Sequence, residues 1–255
     1  MSIYVKQYGA ERTGTNVLRL LLPRAFPGAR VLMHVLGDKH SAPAPALIHA
    51  LDAGIAAPEV VARATAERPS RTTDAGSSSQ RARIAEVAAE VADAVATRGL
   101  RVVVSLKHPH AWAASLTRPR GWTAASLRSG PARAGLVAAC ERFNAAYHAW
   151  AALADRGVVR ASFVTHEALL ADPTACLRGV GRALELGEPA PVDLPAGVVL
   201  PTHWDDDASV EHHERFERSY YDGRGYLDRL GAAGIAAVSD AIDWGFFGRW
   251  GYQPR

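Results

Sequence analysis

The sequence predicts a three-layer α/β/α fold with a mostly parallel central sheet. Short apolar runs alternate along the chain with longer segments whose apolar residues recur at helical spacing. One of these runs, Leu100–Leu106, is rich in valine, which is typical of a strand buried on both faces of a parallel sheet. The 255 residues are enough for one domain with a substantial core, so we expect residues 1–255 to form a single domain.

Strands are predicted where an apolar run is bounded by turn residues. These runs lie at residues 2–8, 30–36, 100–106 and 158–164. Helices are predicted at about 15–22, 46–66, 82–98, from Pro109, at 132–155 and 174–186, and in two short C-terminal segments. Pro23 is expected to end the first helix. Polar composition predicts a mobile loop at 62–83, and residues 187–222 are predicted to be irregular and to cap the acceptor side.

Bulk composition excludes several classes of protein. The charged fraction of 22% and the hydrophobic fraction of 48% are ordinary for a globular domain, and the net charge of +3 suits a small anionic ligand better than a nucleic acid. No stretch approaches the roughly 20 apolar residues that a membrane span requires, and no signal-peptide pattern is present. Cys140 and Cys176 lie in predicted helices and are expected to be reduced thiols. We therefore expect a cytoplasmic protein with no nucleic-acid or membrane partner.

A glycine-bounded loop follows the first strand. Gly9 and Gly14 are separated by four residues, as the glycines are in the phosphate-binding loop of P-loop nucleotide-binding folds. Glycines let the backbone turn tightly, so that N–H groups of the loop and of the next helix point at one anion. Arg12 adds a fixed positive charge inside the loop. The lysine expected after the second glycine is Thr15, so the anion is not held as it is in ATP-type loops.

A second group of candidate residues follows the valine-rich strand. Lys107 lies at the carboxyl end of this strand, Pro109 stands where a helix would begin, and Ser115 lies two turns into that helix. In open α/β sheets, ligands bind outside the carboxyl ends of the strands. We therefore expect Lys107 and the loop at 9–16 to open on the same edge of the sheet.

Three segments together resemble the PAPS-dependent sulfotransferases, over roughly residues 3–186. They are Arg12-Thr-Gly-Thr-Asn16, Lys107 with Pro109 and Ser115, and His166-Glu-Ala-Leu-Leu-Ala-Asp-Pro173, in this order and spacing. The resemblance implies that the sulfonate of 3′-phosphoadenosine 5′-phosphosulfate (PAPS) passes to a hydroxyl, or less favourably an amine, of a small-molecule acceptor. The product would be adenosine 3′,5′-bisphosphate, and no metal is required.

The resemblance also assigns residues to the donor. The family's 5′-phosphosulfate site corresponds to Arg12, Thr13, Gly14, Thr15 and Asn16. The family's other contacts with PAPS correspond to Lys107, Ser115, His166 and Arg224, and of these Lys107 and Ser115 would bind the 3′-phosphate. Lys107 replaces the usual arginine, which keeps the charge but loses the bidentate fork. Val17 stands where many members have a tryptophan against the adenine.

The general base has three candidates. The family commonly uses a histidine close to a lysine, and Lys39-His40 after the second predicted strand is its best counterpart. His40 would take the acceptor's proton, since the pKa of histidine lies near neutrality, and Lys39 would stabilise the transferring sulfonate. Glu11 is an alternative because other branches use a glutamate. His34, inside the predicted strand, is the third candidate.

Two other functions stay open from the sequence. A nucleotide-dependent kinase or NTPase would need the loop lysine and an acidic residue after Leu100–Leu106, and both are missing. A non-catalytic nucleotide-binding protein of the same fold is compatible with the departures at Lys107 and Val17. The sequence also leaves a homodimer open.

Overall fold

A computed structural model describes residues 3–32, 35–40, 42–53, 58–67, 86–92, 100–194, 197–198, 214–215 and 225–255. It has an all-parallel four-stranded sheet flanked by helices on both faces. The predicted three-layer α/β/α class with a mostly parallel central sheet is therefore confirmed.

The four strands place three carboxyl ends side by side. The strands are β1 (Ile3–Gly9), β2 (Ala29–Leu32), β3 (Arg101–Leu106) and β4 (Arg160–Thr165), in the order β2-β1-β3-β4. Gly9 pairs with Ser105, and Leu106 pairs with Thr165. The residues that follow β1, β3 and β4 therefore meet at one edge of the sheet.

Helices and short pairings complete the described fold. The helices are α1 (Thr15–Ala25), α2 (Pro45–Asp52), α3 (Pro58–Glu67), α4 (86–92), α5 (Pro109–Thr117), α6 (Gly130–Asp155), α7 (His166–Ala171), α8 (Pro173–Leu184), α9 (Tyr226–Ala241) and α10 (Trp244–Phe247). Single 3₁₀ turns lie at Ser126–Arg128 and Gly248–Trp250. Two-residue strands, β5 (Gly197–Val198) and β6 (Glu214–Arg215), pair in the antiparallel sense.

Each face of the sheet has its own hydrophobic cluster. Alternate residues of a strand point to opposite faces, so Val103 packs with α1 and α8 while Val102 and Val104 pack with α5, α6 and α9. All six residues of β3 are buried. The valine-rich sequence of β3 is explained by this burial on both faces, as predicted.

The chain reverses direction across the sheet between β1 and β3. It leaves β1 into α1 on one face, and it leaves β3 into α5 on the other face. In open α/β sheets this change of direction opens a crevice at the carboxyl ends of the two strands. The loop after β1 and the segment after β3 both border this position.

Two predicted boundaries are wrong for identifiable reasons. Helix α1 continues past Pro23 to Ala25, and the N–H of Phe26 donates to the carbonyl of Leu22. Pro23 is tolerated because it is exposed and lies in the last turn of the helix. At this position its missing N–H removes only one hydrogen-bond donor. Strand β2 is described as Ala29–Leu32, and Leu36, predicted from the sequence to belong to it, lies with Gly37 in a buried turn where both have left-handed backbone angles.

Two further predicted segments need revision, and a third agrees with the structure where it is described. The helix predicted over 46–66 is two helices, because Pro58 starts the second one, and residues 62–67 belong to α3 and not to a mobile loop. Residues 68–83 lie outside the described residues. Residues 187–194 lack regular structure, and the N–H of Ala190 donates to the carbonyl of Ala25, at the end of α1 opposite the glycine loop. Of the cap predicted over 187–222, residues 195–196, 199–213 and 216–222 lie outside the described residues.

In the part of the chain that is described, no single helix has the length and apolarity to cross a membrane. Tyr226–Ala241 and Trp244–Trp250 meet those criteria only when combined, and they are bent by 83° relative to each other.

Candidate functional site

The loop between β1 and α1 requires glycine at both of its ends. A Cβ at Gly9 would overlap the Ser105 hydroxyl of the neighbouring strand. A Cβ at Gly14 would overlap the imidazole of His166, and Gly14 also has a left-handed φ of 84°. The two glycines therefore allow close approach between three chain segments at the crevice.

Hydrogen bonds fix the shape of this loop. Thr13 Oγ1 donates to the carbonyl of Ala10 at 2.7 Å and lies 2.8 Å from Ser105 Oγ. Tyr147 Oη, from α6, accepts from the N–H of Ala10 at 3.1 Å and donates to the carbonyl of Ser105 at 2.5 Å. The loop is thereby attached to β3 and to a helix on the opposite face from α1.

The N-terminus of α1 borders the same loop. The helical ladder starts where the N–H of Leu18 donates to the carbonyl of Gly14, so the N–H groups of residues 15–17 precede it. The first turn contains no acidic residue to neutralise the positive end of the helix dipole. Arg12 is exposed in the loop and has a left-handed φ of 72°, a strained conformation for a non-glycine residue.

Lys39 and His40 contact the loop directly. The N–H of Gly9 donates to the carbonyl of Lys39 at 2.9 Å, and the Nδ1 of His40 lies 3.1 Å from the carbonyl oxygen of Gly9. Lys39 Nζ donates to Asn16 Oδ1 at 2.5 Å. The structure thus brings together two segments that are more than 20 residues apart in the sequence.

The contact with Gly9 determines the tautomer of His40. A carbonyl oxygen only accepts hydrogen bonds, so Nδ1 carries the proton and the lone pair of the neutral ring is on Nε2. Desolvation of the ring, with a further effect of the Lys39 charge, lowers the pKa of His40, although Asp38, the Gly9 carbonyl and Glu11 oppose this shift. His40 is therefore neutral at pH 7, with Nε2 able to accept a proton.

Lys107 and His166 lie at the ends of β3 and β4, and both are buried. The exposed fraction is 2% for Lys107 and 3% for His166, and the His166 ring packs against Gly14. Burial and then the nearby Lys107 charge lower the pKa of His166 to about 3. His166 is therefore neutral at physiological pH, and it lies against Gly14 with a buried lysine nearby.

Glu167 connects the second motif to the C-terminal part of the chain. Its carboxylate accepts from the N–H of His108 at 2.9 Å and from the hydroxyl of Tyr252 at 2.7 Å. His108 directly follows Lys107, so Glu167 fixes the backbone that carries this lysine. The Nε2 of His108 also lies 3.1 Å from both the Gln253 carbonyl and Arg255 Nε.

The structure places the predicted site residues in different surroundings. Thr13, Asn16, Lys39 and His40 share the hydrogen bonds of the loop, and the Glu11 carboxylate is close enough to influence His40. Lys107 and His166 are buried, with the His166 ring against Gly14, and Thr15 is buried at the start of α1. Ser115 donates to the carbonyl of Trp112 within its own helix. Val17 is part of the hydrophobic core. His34 and Arg224 lie outside the described residues.

Sequence reasoning missed five residues that shape the site. Tyr147, Ser105 and Glu167 carry no local sequence signal, since each acts on a segment distant in the chain. Lys6 and Tyr8 could have been noticed, because a lysine inside an apolar strand and a tyrosine two residues later share one face of β1. These five residues are Lys6, Tyr8, Ser105, Tyr147 and Glu167.

No family model matches the chain, and comparisons with curated proteins and with solved structures give no significant match.

Burial of neutral His166 predicts a loss of stability in acid. The unfolded state binds a proton near pH 6.5 and the folded state only near pH 3, so the stability present above pH 6.5 is lost as pH falls. This group alone should lower the free energy of unfolding by about 1.4 kcal/mol between pH 7.5 and 5.5. Urea unfolding of the His166→Gln variant should show a pH dependence weaker by this amount. His49→Gln, at an exposed position of α2, is the control and should retain the wild-type dependence.

Proposed function

We propose that the protein is a PAPS-dependent sulfotransferase that transfers sulfonate to a hydroxyl, or less favourably an amine, of a small molecule. The observation that carries the proposal is the contact between His40 Nδ1 and the Gly9 carbonyl, which puts a neutral histidine beside an anion-binding loop. The cytoplasmic setting and the small-molecule acceptor predicted from the sequence remain part of this proposal.

The described residues fit the charge distribution of PAPS. PAPS carries anionic groups at its 5′-phosphosulfate and at its 3′-phosphate. The loop between Gly9 and Gly14 suits the first group, because it carries the exposed Arg12 and leads into the N-terminus of α1, whose first turn contains no acidic residue. For the second group the proposal keeps Lys107, the cation that lies buried directly after the adjacent strand.

The chemistry assigns one role to each residue. His40 Nε2 accepts the proton of the acceptor hydroxyl as its oxygen attacks sulfur. The bond between sulfur and the bridging oxygen breaks, and adenosine 3′,5′-bisphosphate leaves with the negative charge. Arg12 and the N–H groups at the start of α1 stabilise that charge, and Lys39 stabilises the sulfonate in transit. Glu11 stabilises the imidazolium that His40 becomes.

The first prediction concerns nucleotide binding. Adenosine 3′,5′-bisphosphate at a hundred times its Kd should stabilise the fold by about 2.7 kcal/mol, since it binds only the folded state. Thermal unfolding should then shift upwards by about 5–10 °C for a chain of this size. Stabilisation by ATP with magnesium, and not by the bisphosphate, would favour a kinase or NTPase and contradict the proposal. Bisphosphate binding without transfer from PAPS to any phenol, alcohol or amine of a broad panel would favour a non-catalytic binding protein.

Replacing Arg12 by alanine should reduce transfer. Because its charge acts on the leaving group in the transition state, kcat should fall by about 10²–10³-fold. The measurement is the transfer of radiolabelled sulfonate from PAPS to the best acceptor of the panel. Arg24→Ala, which removes an exposed arginine in the last turn of α1, is the matched control and should retain normal kcat. Normal activity of Arg12→Ala would exclude this loop as the sulfonate site.

Replacing His40 by glutamine should remove the base. The lowered pKa of His40 predicts that wild-type kcat/KM falls only below pH 6.5, because the neutral ring is required. In His40→Gln, kcat should fall by about 10²–10⁴-fold, and the decrease of kcat/KM below pH 6.5 should disappear. The bisphosphate should still bind to this variant. His49→Gln serves as the control. Wild-type turnover in His40→Gln would instead assign the base to Glu11 or His34.

A further inference from the structure

The turn that carries His40 has an unusual backbone. Leu36 and Gly37 are consecutive residues with left-handed φ angles of 65° and 88°. A bulky side chain disfavours this region, so a leucine adopts it only where surrounding contacts hold it there. Leu36 is buried, with an exposed fraction of 1%. The turn is therefore maintained from inside the protein and not by its own sequence.

Three side chains supply those contacts. Tyr8 Oη donates to the carbonyl of Leu36 at 2.5 Å, and Thr65 Oγ1, from α3, accepts from the N–H of Leu36 at 3.0 Å. Lys6 Nζ donates to the carbonyl of Gly37 at 2.6 Å. Tyr8 and Lys6 lie on the same face of β1, and both are buried. The N–H and carbonyl of Leu36 and the carbonyl of Gly37 are therefore all hydrogen-bonded to side chains of β1 or α3.

The same turn ends at the glycine loop. Only two residues separate Gly37 from His40, and both Lys39 and His40 bond to Gly9. A shift of the carbonyls at 36 and 37 would therefore move the imidazole away from the Gly9 carbonyl. The position of His40 depends on contacts made three and four residues earlier.

We propose that Tyr8, Thr65 and Lys6 are positioning residues that hold the 36–40 turn and thereby keep His40 Nδ1 on the Gly9 carbonyl. The chemical use of this position rests on the proposed function, whereas the positioning itself does not. These residues act through His40 and are not themselves catalytic.

The burial of Lys6 supports a positioning role. Desolvation lowers the pKa of Lys6 to about 7, with a smaller effect of Lys39 and an opposing one of Asp38. An ammonium group inside a sheet is costly to bury, and an apolar side chain would fill the same space without that cost. The hydrogen bond to the Gly37 carbonyl gives the lysine a use that an apolar residue could not provide.

The test uses two neutral, nearly isosteric substitutions. Tyr8→Phe removes the donor to Leu36, and Thr65→Val removes the acceptor for its N–H. Lys6 is left unchanged because a change of charge near Lys39 would alter electrostatics as well as position. Tyr4→Phe is the matched control, since Tyr4 lies on the same face of β1 but donates to Glu90 at 2.7 Å, away from the turn.

The readout is the pKa of His40 from NMR titration of its ring, assigned with His40→Gln. In the wild type this pKa should lie below 6.5, because desolvation of the ring and then the Lys39 charge lower it, while Asp38, the Gly9 carbonyl and Glu11 oppose the shift. Tyr8→Phe and Thr65→Val should each raise it towards 6.5, because a displaced ring regains hydration and moves away from Lys39, and Tyr4→Phe should not. With PAPS and an acceptor, the pH below which kcat/KM decreases should rise together with this pKa in Tyr8→Phe and Thr65→Val. In both variants kcat should fall about tenfold, while bisphosphate binding persists.

An unchanged pKa of His40 in both folded variants, or an equal change in Tyr4→Phe, would overturn the inference. Folding is checked by circular dichroism. The titration needs no nucleotide, so a wild-type protein that fails to bind adenosine 3′,5′-bisphosphate would contradict the proposed function and leave the test of positioning intact.

Discussion

The rest of the site depends on the packing around Gly9, the last residue of β1. Its N–H donates to the carbonyl of Lys39, its carbonyl accepts from His40, and its Cα lies against Ser105 of β3. The parallel pairing of β1 with β3 and the placement of the candidate base therefore share one residue. A side chain here would push the two strands apart, so the fold and the site impose the same requirement for glycine.

Positive charge is concentrated at one edge of the sheet, and burial controls the protonation of the groups around it. Arg12, Lys39, Lys107 and the N-terminus of α1 lie at the carboxyl ends of β1 and β3. Desolvation and then the nearby Lys107 charge disfavour a charged imidazole, so His166 stays neutral. The rings of His40 and His166 are therefore both neutral at pH 7, although cationic side chains lie close to them.

The accuracy of sequence-based prediction varied with the kind of interaction that fixes each element. Strand β3 was predicted because burial on both faces forces an unbroken apolar composition, and α5 because Pro109 suits only the start of a helix. Boundaries failed where tertiary contacts outweighed local preference. Leu36 reads as strand but lies in a turn, because Tyr8 and Thr65 bond its two polar backbone groups and stabilise a conformation that leucine alone disfavours.

The sequence by itself determined the fold class, the glycine-bounded loop and the residues at the carboxyl ends of the strands. These features depend on periodicity and on glycine spacing, which are local properties of the chain. Only the tertiary structure brought His40 to Gly9 and Tyr147 to Ala10, and it buried Lys107 beside His166. Such contacts depend on strand order and on which face each helix covers. Neither is encoded in local periodicity, because the same pattern of elements is compatible with several sheet orders.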